Sequence, residues 1–164
     1  MNQRVTILFI CLLISLSTAF ASNEPESAYP SSVKVTKGVD GDTFWGIDTE
    51  NKSFKVRLIG VDAPESRKTG NKPIGYYGKE ASEYTHQLLA DKKVRLEYDK
   101  KKTDRYGRVL AYVYLNDGTF VNNQLVKKGF ANAIYYKPNN KYTQQLTQSC
   151  EEAKKQHKGM WSKQ

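Results

Sequence analysis

Short runs of β-branched and aromatic residues dominate the first two thirds of the chain and limit the folds that it can adopt. Five such runs are separated by Gly, Asp, Asn and Lys: Val33–Val35, Thr43–Ile47, Phe54–Val61, Val94–Tyr98 and Val109–Leu115. This spacing is typical of short β-strands joined by turns. Five short strands are the minimum for a small barrel, so the sequence predicts a β-rich core.

Three segments follow a helical period instead of the alternation of a strand. Gly78–Leu89 places small and apolar residues at i, i+3, i+4 and i+7, which is the stripe of an amphipathic helix. A second helix is predicted from Phe120 to Lys128, ended by Gly129. The third runs from Asn139 to about Lys158, and Trp161 beyond it is expected to close the core.

The N-terminus has the composition of a signal peptide, predicted over residues 1–21. Arg4 precedes an apolar run over residues 5–16, and a small-residue A-x-A cleavage site follows. The run is too short to span a bilayer, although a retained anchor is the alternative interpretation. We expect an exported protein, secreted or periplasmic, without stable membrane association after cleavage. Residues 22–32 are predicted as a flexible leader and residues 33–162 as a single domain.

The net charge indicates the class of partner, and the cysteine content limits the ways in which the fold can be stabilised. The chain carries a formal net charge of +9 from 26 Lys and Arg against 17 Asp and Glu. Such basicity in an exported protein indicates an anionic partner: nucleic acid, an envelope polymer or a membrane surface. Cys150 is the only cysteine after the predicted signal, so an internal disulfide is excluded, and packing or a bound ion must stabilise the fold.

Several common active-site chemistries can be excluded from the residues present. The only histidines are His86 and His157, both in predicted helices, which leaves no zinc constellation and no Cys–His arrangement. The stretch DGDTFWGIDTEN is not an EF-hand, because Trp45 occupies the sixth position, where Gly is needed, and Asn51 the twelfth, where Glu is needed.

Three pieces far apart in sequence carry the remaining candidates: VDGDT (39–43), VRLIGVDAPES (56–66) and TDRYGRVLAY (103–112). They contain three acids and two arginines at or near the predicted strands: Asp42, Asp62, Glu65, Arg57 and Arg108. Two carboxylates with a main-chain carbonyl and water form the oxygen-rich environment that Ca²⁺ prefers. Two guanidinium groups can bind the oxygens of a phosphodiester.

Together with YYGKEAS (76–82) and YKPNN (136–140), these pieces closely resemble the thermonuclease, or staphylococcal nuclease, family. The resemblance extends from about Val33 to Trp161, and the five motifs occur in the order of the family. It implies an α+β fold, β-rich, with a five-stranded OB-type β-barrel and three α-helices. It also implies calcium-dependent hydrolysis of DNA and RNA to 3′-phosphorylated products, with one Ca²⁺ per active site.

The resemblance assigns the acids different tasks. Asp42 and Asp62 match the carboxylate ligands of calcium, and the main-chain carbonyl of Ala63 matches a further ligand. Ala63 stands where a well-studied member has threonine, which changes little because the main-chain oxygen is the ligand. Glu65 matches the general base that activates or orders water. Asp40, in the dipeptide Asp-Gly, is instead predicted to be a turn residue.

The same resemblance assigns the cationic and aromatic residues. Arg57 and Arg108 match phosphate-binding residues, and Arg108 is expected to assist the leaving oxygen as well. Tyr106 and Tyr136 match residues of a nucleotide pocket, where phenol groups hydrogen-bond phosphate and rings pack on a base. Ile134 departs from the family, since a well-studied member has a pocket tyrosine there, so altered base preference is expected.

Two other functions remain open at this stage. The first is a non-catalytic OB-fold module that binds nucleic acid without cleaving it, and the second is a calcium-stabilised exported adhesion domain. The complete set of two calcium carboxylates, a third acid and two arginines favours the nuclease. We expect DNA and RNA as substrates, single strands to be preferred, and the protein to be a monomer.

Overall fold

The computed structural model describes residues 29–68, 70 and 73–163. The predicted signal peptide and residues 22–28 of the predicted leader lie outside the described residues. The strands are β1 (Ser32–Asp40), β2 (Thr43–Ile47), β3 (Ser53–Leu58), β4 (Val61–Asp62), β5 (Lys93–Glu97), β6 (Val109–Tyr114) and β7 (Asn132–Ala133). The helices are α1 (Gly78–Leu89), α2 (Val121–Lys127) and α3 (Thr143–Lys155), followed by a 3₁₀ turn at Gly159–Trp161.

Five strands close into a barrel in the order β1-β2-β3-β6-β5. Neighbouring strands are antiparallel except for β3 and β6, which run parallel. The alternation of each strand places one set of side chains inside, where Phe44, Val56 and Leu58 are fully buried. The prediction of a five-stranded OB-type barrel with three helices is therefore confirmed.

The predicted strand Phe54–Val61 is interrupted in the structure. β3 ends at Leu58, and Gly60 turns the chain with a φ of 75°, a left-handed conformation that favours glycine. The chain then forms β4, which pairs with β7 in a separate two-stranded sheet. Strands of two residues carry no periodic signal, so this sheet could not be predicted. The turn matters because it returns Asp62 towards Arg57 on the preceding strand.

Helix α1 holds the turn between β1 and β2 in place. The buried hydroxyl of Thr85 donates to the main-chain oxygen of Gly41 at 2.9 Å. A Cβ atom at position 41 would lie 2.5 Å from the Cβ of Ala63, so only glycine allows this approach. The turn that carries Asp40 and Asp42 is thus packed between α1 and the segment after β4.

The third helix begins later than the sequence predicts, at Thr143 instead of Asn139. Asn139 is buried, and its side chain exchanges hydrogen bonds with the main chain of Lys101 at 2.7 and 2.8 Å. The amides of Asn140 and Lys141 donate to Asp99. These contacts hold residues 139–141 in a loop, because polar side chains satisfy groups that a helix would otherwise use.

Helix α3 buries one side, formed by Leu146, Ser149, Cys150 and Ala153. At the other end of the domain, the last residues of the predicted leader contact the barrel, since Pro30 accepts a hydrogen bond from Tyr98 Oη at 2.5 Å. Among the residues that the structure describes, no helix has the length and apolar character needed to cross a bilayer.

Candidate active site

Six of the eight predicted site residues line one cavity of about 220 Å³: Asp42, Arg57, Asp62, Ala63, Glu65 and Arg108. Asp40 and Pro64 complete the wall. The fold brings these residues together because the β1–β2 turn, β3, the segment after β4 and the residue before β6 meet on one side of the barrel. Three sequence pieces therefore form a single polar site.

Asp42 and Arg57 form a buried ion pair at the base of the cavity. Arg57 Nη2 lies 3.0 Å from Asp42 Oδ2, and the two side chains are only 7% and 9% exposed. The amide of Ala63 also donates to Asp42 Oδ2 at 3.0 Å, and the hydroxyl of Thr43 donates to Oδ1 at 3.0 Å. Asp40 accepts the amide of Asp42, which agrees with its predicted role as a turn residue.

Burial makes the Asp42 carboxyl harder to ionise than that of an exposed aspartate, although it pairs with Arg57. Burial raises the pKa of the Asp42 carboxyl to about 7, against the opposing charge of Arg57, and the nearby Asp40 adds to the increase. A buried carboxyl is costly to ionise unless positive charge lies close to it. A cation added to the cavity would therefore stabilise the carboxylate form.

Arg57 is held on several sides by the protein. It points away from the barrel interior, as the alternation of β3 predicts, yet it is buried because the β3–β4 turn covers it. Its Nη1 donates to the main-chain oxygens of Leu58 at 2.8 Å and Val61 at 2.6 Å. Its Nη2 also contacts Asp62 Oδ1 at 3.4 Å, and the Asp62 side chain is 59% exposed. Arg57 thus links both predicted calcium carboxylates.

Arg108 is oriented by Asp104, a residue for which the sequence predicted no role. Arg108 Nε lies 2.6 Å from Asp104 Oδ2, and Asp104 Oδ1 accepts the amides of Tyr106 and Arg108. Burial raises the pKa of Asp104, but these hydrogen bonds outweigh it, so its pKa lies below its ordinary value. An acid four residues before the arginine, in a Gly-containing turn, was the signal that could have identified it.

Glu65 is positioned through its main chain. Its oxygen accepts the amide of Gly75 at 2.9 Å, and it lies so close to Gly78 that any Cβ there would collide with it. The start of α1 therefore sets the position of Glu65 in the cavity wall.

The two predicted nucleotide-pocket tyrosines lie in different surroundings. Tyr106 is 66% exposed and lines a neighbouring groove of about 750 Å³, which shares Asp40, Glu65 and Arg108 with the cavity. Tyr136 is half-buried and packs on the cluster of Ile59, Leu110 and Tyr112, outside the cavity lining.

The residues of the cavity fit a hard cation by the chemistry of their donors. Within the described part of the chain, no group of three or more His, Cys, Asp or Glu side chains is arranged to hold a metal ion. A calcium site here would therefore depend on two carboxylates, a main-chain oxygen and water. Oxygen ligands of this kind, in a site with a buried acid, are suited to Ca²⁺.

Several known proteins are similar to this chain in sequence over most of its length. Residues 55–163 match the family described as staphylococcal nuclease homologue. The chain is 46% identical over 145 residues to the thermonuclease of Staphylococcus hyicus, covering 88% of this chain and 82% of that protein. It is 40% identical over 164 residues to the thermonuclease of Staphylococcus intermedius, covering 97% and 96%. It is also 40% identical over 134 residues to endonuclease YncB of Bacillus subtilis (strain 168), covering 80% and 62%. This chain belongs to the staphylococcal nuclease family.

Proposed function

We propose that this protein is an exported, calcium-dependent endonuclease that hydrolyses DNA and RNA to 3′-phosphorylated nucleotides and oligonucleotides. The observation that carries the proposal is the single cavity lined by Asp42, Arg57, Asp62, Glu65 and Arg108. A phosphodiester is anionic and repels hydroxide, so its hydrolysis needs cationic groups at the phosphate oxygens and a positioned water. The similarity to proteins named thermonuclease and endonuclease supports the same activity.

The arginines are proposed to bind the scissile phosphate. Arg108 uses Nε for Asp104, and its guanidinium lies over the Tyr106 ring at 5.5 Å. Within the described residues its terminal nitrogens make no hydrogen bond or ion pair, so these are the proposed donors for phosphate oxygens. Arg57 is more constrained, because its two terminal nitrogens already bind carbonyls and carboxylates. We infer that Arg57 keeps the acids and the phosphate in register, while Arg108 also stabilises charge on the leaving oxygen.

Glu65 is the proposed general base. It accepts a proton from water as the water oxygen attacks phosphorus and the bond from phosphorus to O5′ breaks. The leaving O5′ takes a proton from solvent water, and the phosphate remains on O3′. Asp42, Asp62 and the carbonyl of Ala63 are the proposed ligands of Ca²⁺. When bound, the ion would supply positive charge for the phosphate oxygens and order water in the cavity.

Cleavage of heat-denatured DNA in Ca²⁺ or in EGTA tests this proposal. We expect cleavage only with Ca²⁺, with products that a polynucleotide kinase labels at their 5′ hydroxyls. Cleavage should slow steeply as salt rises, because the basic chain binds a polyanion. Cleavage in EGTA at the same rate would contradict the calcium role, and 5′-phosphate products would contradict the assigned bond.

The alternative is an OB-fold module that binds nucleic acid without cleaving it. It predicts a mobility shift of single-stranded DNA with no loss of full-length strands at any calcium concentration. It has no need for the buried pair of Asp42 and Arg57 beside two further acids, so we favour the enzyme.

A further inference from the structure

A basic and aromatic row crosses the outer face of the barrel next to the cavity. Trp45 of β2 lies opposite Lys37 of β1 on one side and opposite Lys55 of β3 on the other. The ammonium of Lys55 lies 5.0 Å from the centre of the Trp45 ring. Lys37, Trp45 and Lys55 together form the outer row.

The outer row points to the same side of the sheet as Arg57. Side chains of a strand alternate between its two faces, and the intervening Phe44 and Val56 are buried in the core. Lys55 is two residues before Arg57 on β3, so the two positions are separated by about 7 Å along the strand.

Lys55 also lies next to Arg108, at one end of the ladder between β3 and β6. β3 and β6 are parallel, with Val56 paired to Val109. Lys55 and Arg108 are the residues immediately before this pair on the two chains, so they occupy neighbouring positions at the same end of the ladder. The outer row thus runs beside the cavity across β3, β2 and β1, with Lys55, Trp45 and Lys37 two or three residues along the chain from Arg57, Asp42 and Asp40 of the cavity wall.

The two lysines of the outer row are not neutralised by acids of the described residues. Among the residues that the structure describes, Lys37 and Lys55 make no ion pair with an acid. Asp48, which follows β2, uses its carboxylate to close the turn to β3, accepting the amides of Glu50 at 2.8 Å and Lys52 at 2.9 Å. Proteins that bind single strands combine aromatic and basic side chains of this kind, since rings stack on bases and ammonium groups contact phosphates.

We propose that the outer row is a subsite for single-stranded nucleic acid that extends beyond the scissile phosphate. A base stacks on Trp45, and the adjoining phosphates contact Lys55 and Lys37. This inference rests on the proposed nuclease function, because it assigns the path of the strand that the cavity cleaves. It predicts that long single strands bind more tightly than a dinucleotide, which is too short to contact all three residues of the row.

Tryptophan fluorescence tests the contact directly. The chain has two tryptophans, and Trp161 is buried in the core. A single strand of about twelve nucleotides, titrated in EGTA and checked on a gel for integrity, should quench the wild-type emission. Trp45→Phe should abolish most of this quenching while leaving a folded protein by circular dichroism. Unchanged quenching in Trp45→Phe would overturn the proposal.

Charge reversal on the row gives an independent test. Lys55→Glu should weaken binding of the same strand about tenfold and lower the slope of log affinity against log salt by about one or more. Lys155→Glu is the matched control: it makes the same charge change on α3, which packs against α2 and β7, and should have a much smaller effect. Equal losses of affinity in both variants would show that Lys55 contributes only to the overall positive charge of the protein, and they would overturn the proposal.

Cleavage of two substrates, a dinucleotide and a long single strand, distinguishes a failure of this inference from a failure of the proposed function. If wild-type protein does not cleave either substrate with Ca²⁺, the nuclease proposal fails, whatever the binding results. If it cleaves both, Lys55→Glu should raise KM for the long strand by a clearly larger factor than KM for the dinucleotide. An equal rise for both substrates would place Lys55 in the cavity and overturn the subsite.

Discussion

Asp104 accepts the Nε hydrogen of Arg108 at 2.6 Å, and its side chain is only 6% exposed, so a largely buried acid orients one of the two cavity arginines. The same carboxylate accepts two amides of the turn. The pair therefore couples the shape of the loop before β6 to the direction in which the guanidinium points.

Removing this acid should impair catalysis more than folding. In Asp104→Ala, Arg108 loses its orienting partner, and we expect turnover to fall by about tenfold or more. Asp104→Asn keeps an acceptor for the amides but loses the charge, so its defect should be smaller. Turnover and KM should be measured with urea unfolding of each variant. Normal turnover in Asp104→Ala would remove the residue from any positioning role.

Replacing either arginine with lysine should slow cleavage strongly. Arg57→Lys keeps the charge but cannot bind two carbonyls and two carboxylates at once, and we expect the barrier to rise by about 2 kcal/mol or more. Arg108→Lys should show a similar loss because it cannot bind two phosphate oxygens through a planar group. The comparison requires kcat/KM on single-stranded DNA. A variant that retains wild-type kcat/KM would show that its arginine does not bind the phosphate.

Calcium titration should separate the metal ligand from the base. Asp42→Asn is expected to weaken calcium binding, so raising calcium should restore part of the rate. Glu65→Gln should bind calcium nearly normally but turn over on the order of a hundredfold more slowly, without rescue, because an amide cannot accept the proton. Calcium affinity, measured by calorimetry, and the rate of cleavage together distinguish the metal ligand from the base. Rescue of Glu65→Gln by calcium, with normal binding by Asp42→Asn, would reverse the assignment.

Gly78 should tolerate no side chain, although it begins a helix. Helix propensity alone predicts that Gly→Ala stabilises by up to about 1 kcal/mol in a helix interior. Here the new Cβ would collide with the main-chain oxygen of Glu65, so Gly78→Ala should instead destabilise by about 1–3 kcal/mol and reduce turnover. Urea unfolding and cleavage assays test both effects. A gain in stability with full activity would contradict the close approach.

Lowering the pH should destabilise the protein, partly because Asp99 becomes protonated. Partial burial raises the pKa of Asp99, but hydrogen bonds from the amides of Lys141, Lys100 and Asn140 and from the Tyr112 hydroxyl outweigh it, so its pKa lies below the ordinary value. A carboxyl with a lowered folded pKa stabilises the fold fully above its unfolded pKa of about 3.9, and this stabilisation is lost as pH falls through the folded pKa. Asp99→Asn should therefore be less stable than wild type at pH 7, with a difference that shrinks towards pH 2. A constant difference across that range would contradict the lowered pKa.

The sequence alone determined the barrel strands, the three helices and the family. Alternation and turn residues marked the five strands because each strand buries one face, and this pattern is local. The acids and arginines could be selected because their types and order match the family's motifs. Their chemical roles stay predictions that the experiments above address.

Tertiary structure alone decided how these residues act on one another. Arg57 has the sequence environment of an ordinary strand arginine, yet it is buried, with the β3–β4 turn on one side and Asp42 on another. Tyr136 matches a nucleotide-pocket residue in sequence, but its packing on Ile59 and Leu110 holds it outside the cavity. The pairing of Arg57 with Asp42 and the packing of Tyr136 depend on contacts between segments far apart in the chain, and such contacts leave no periodic or local signal in the sequence.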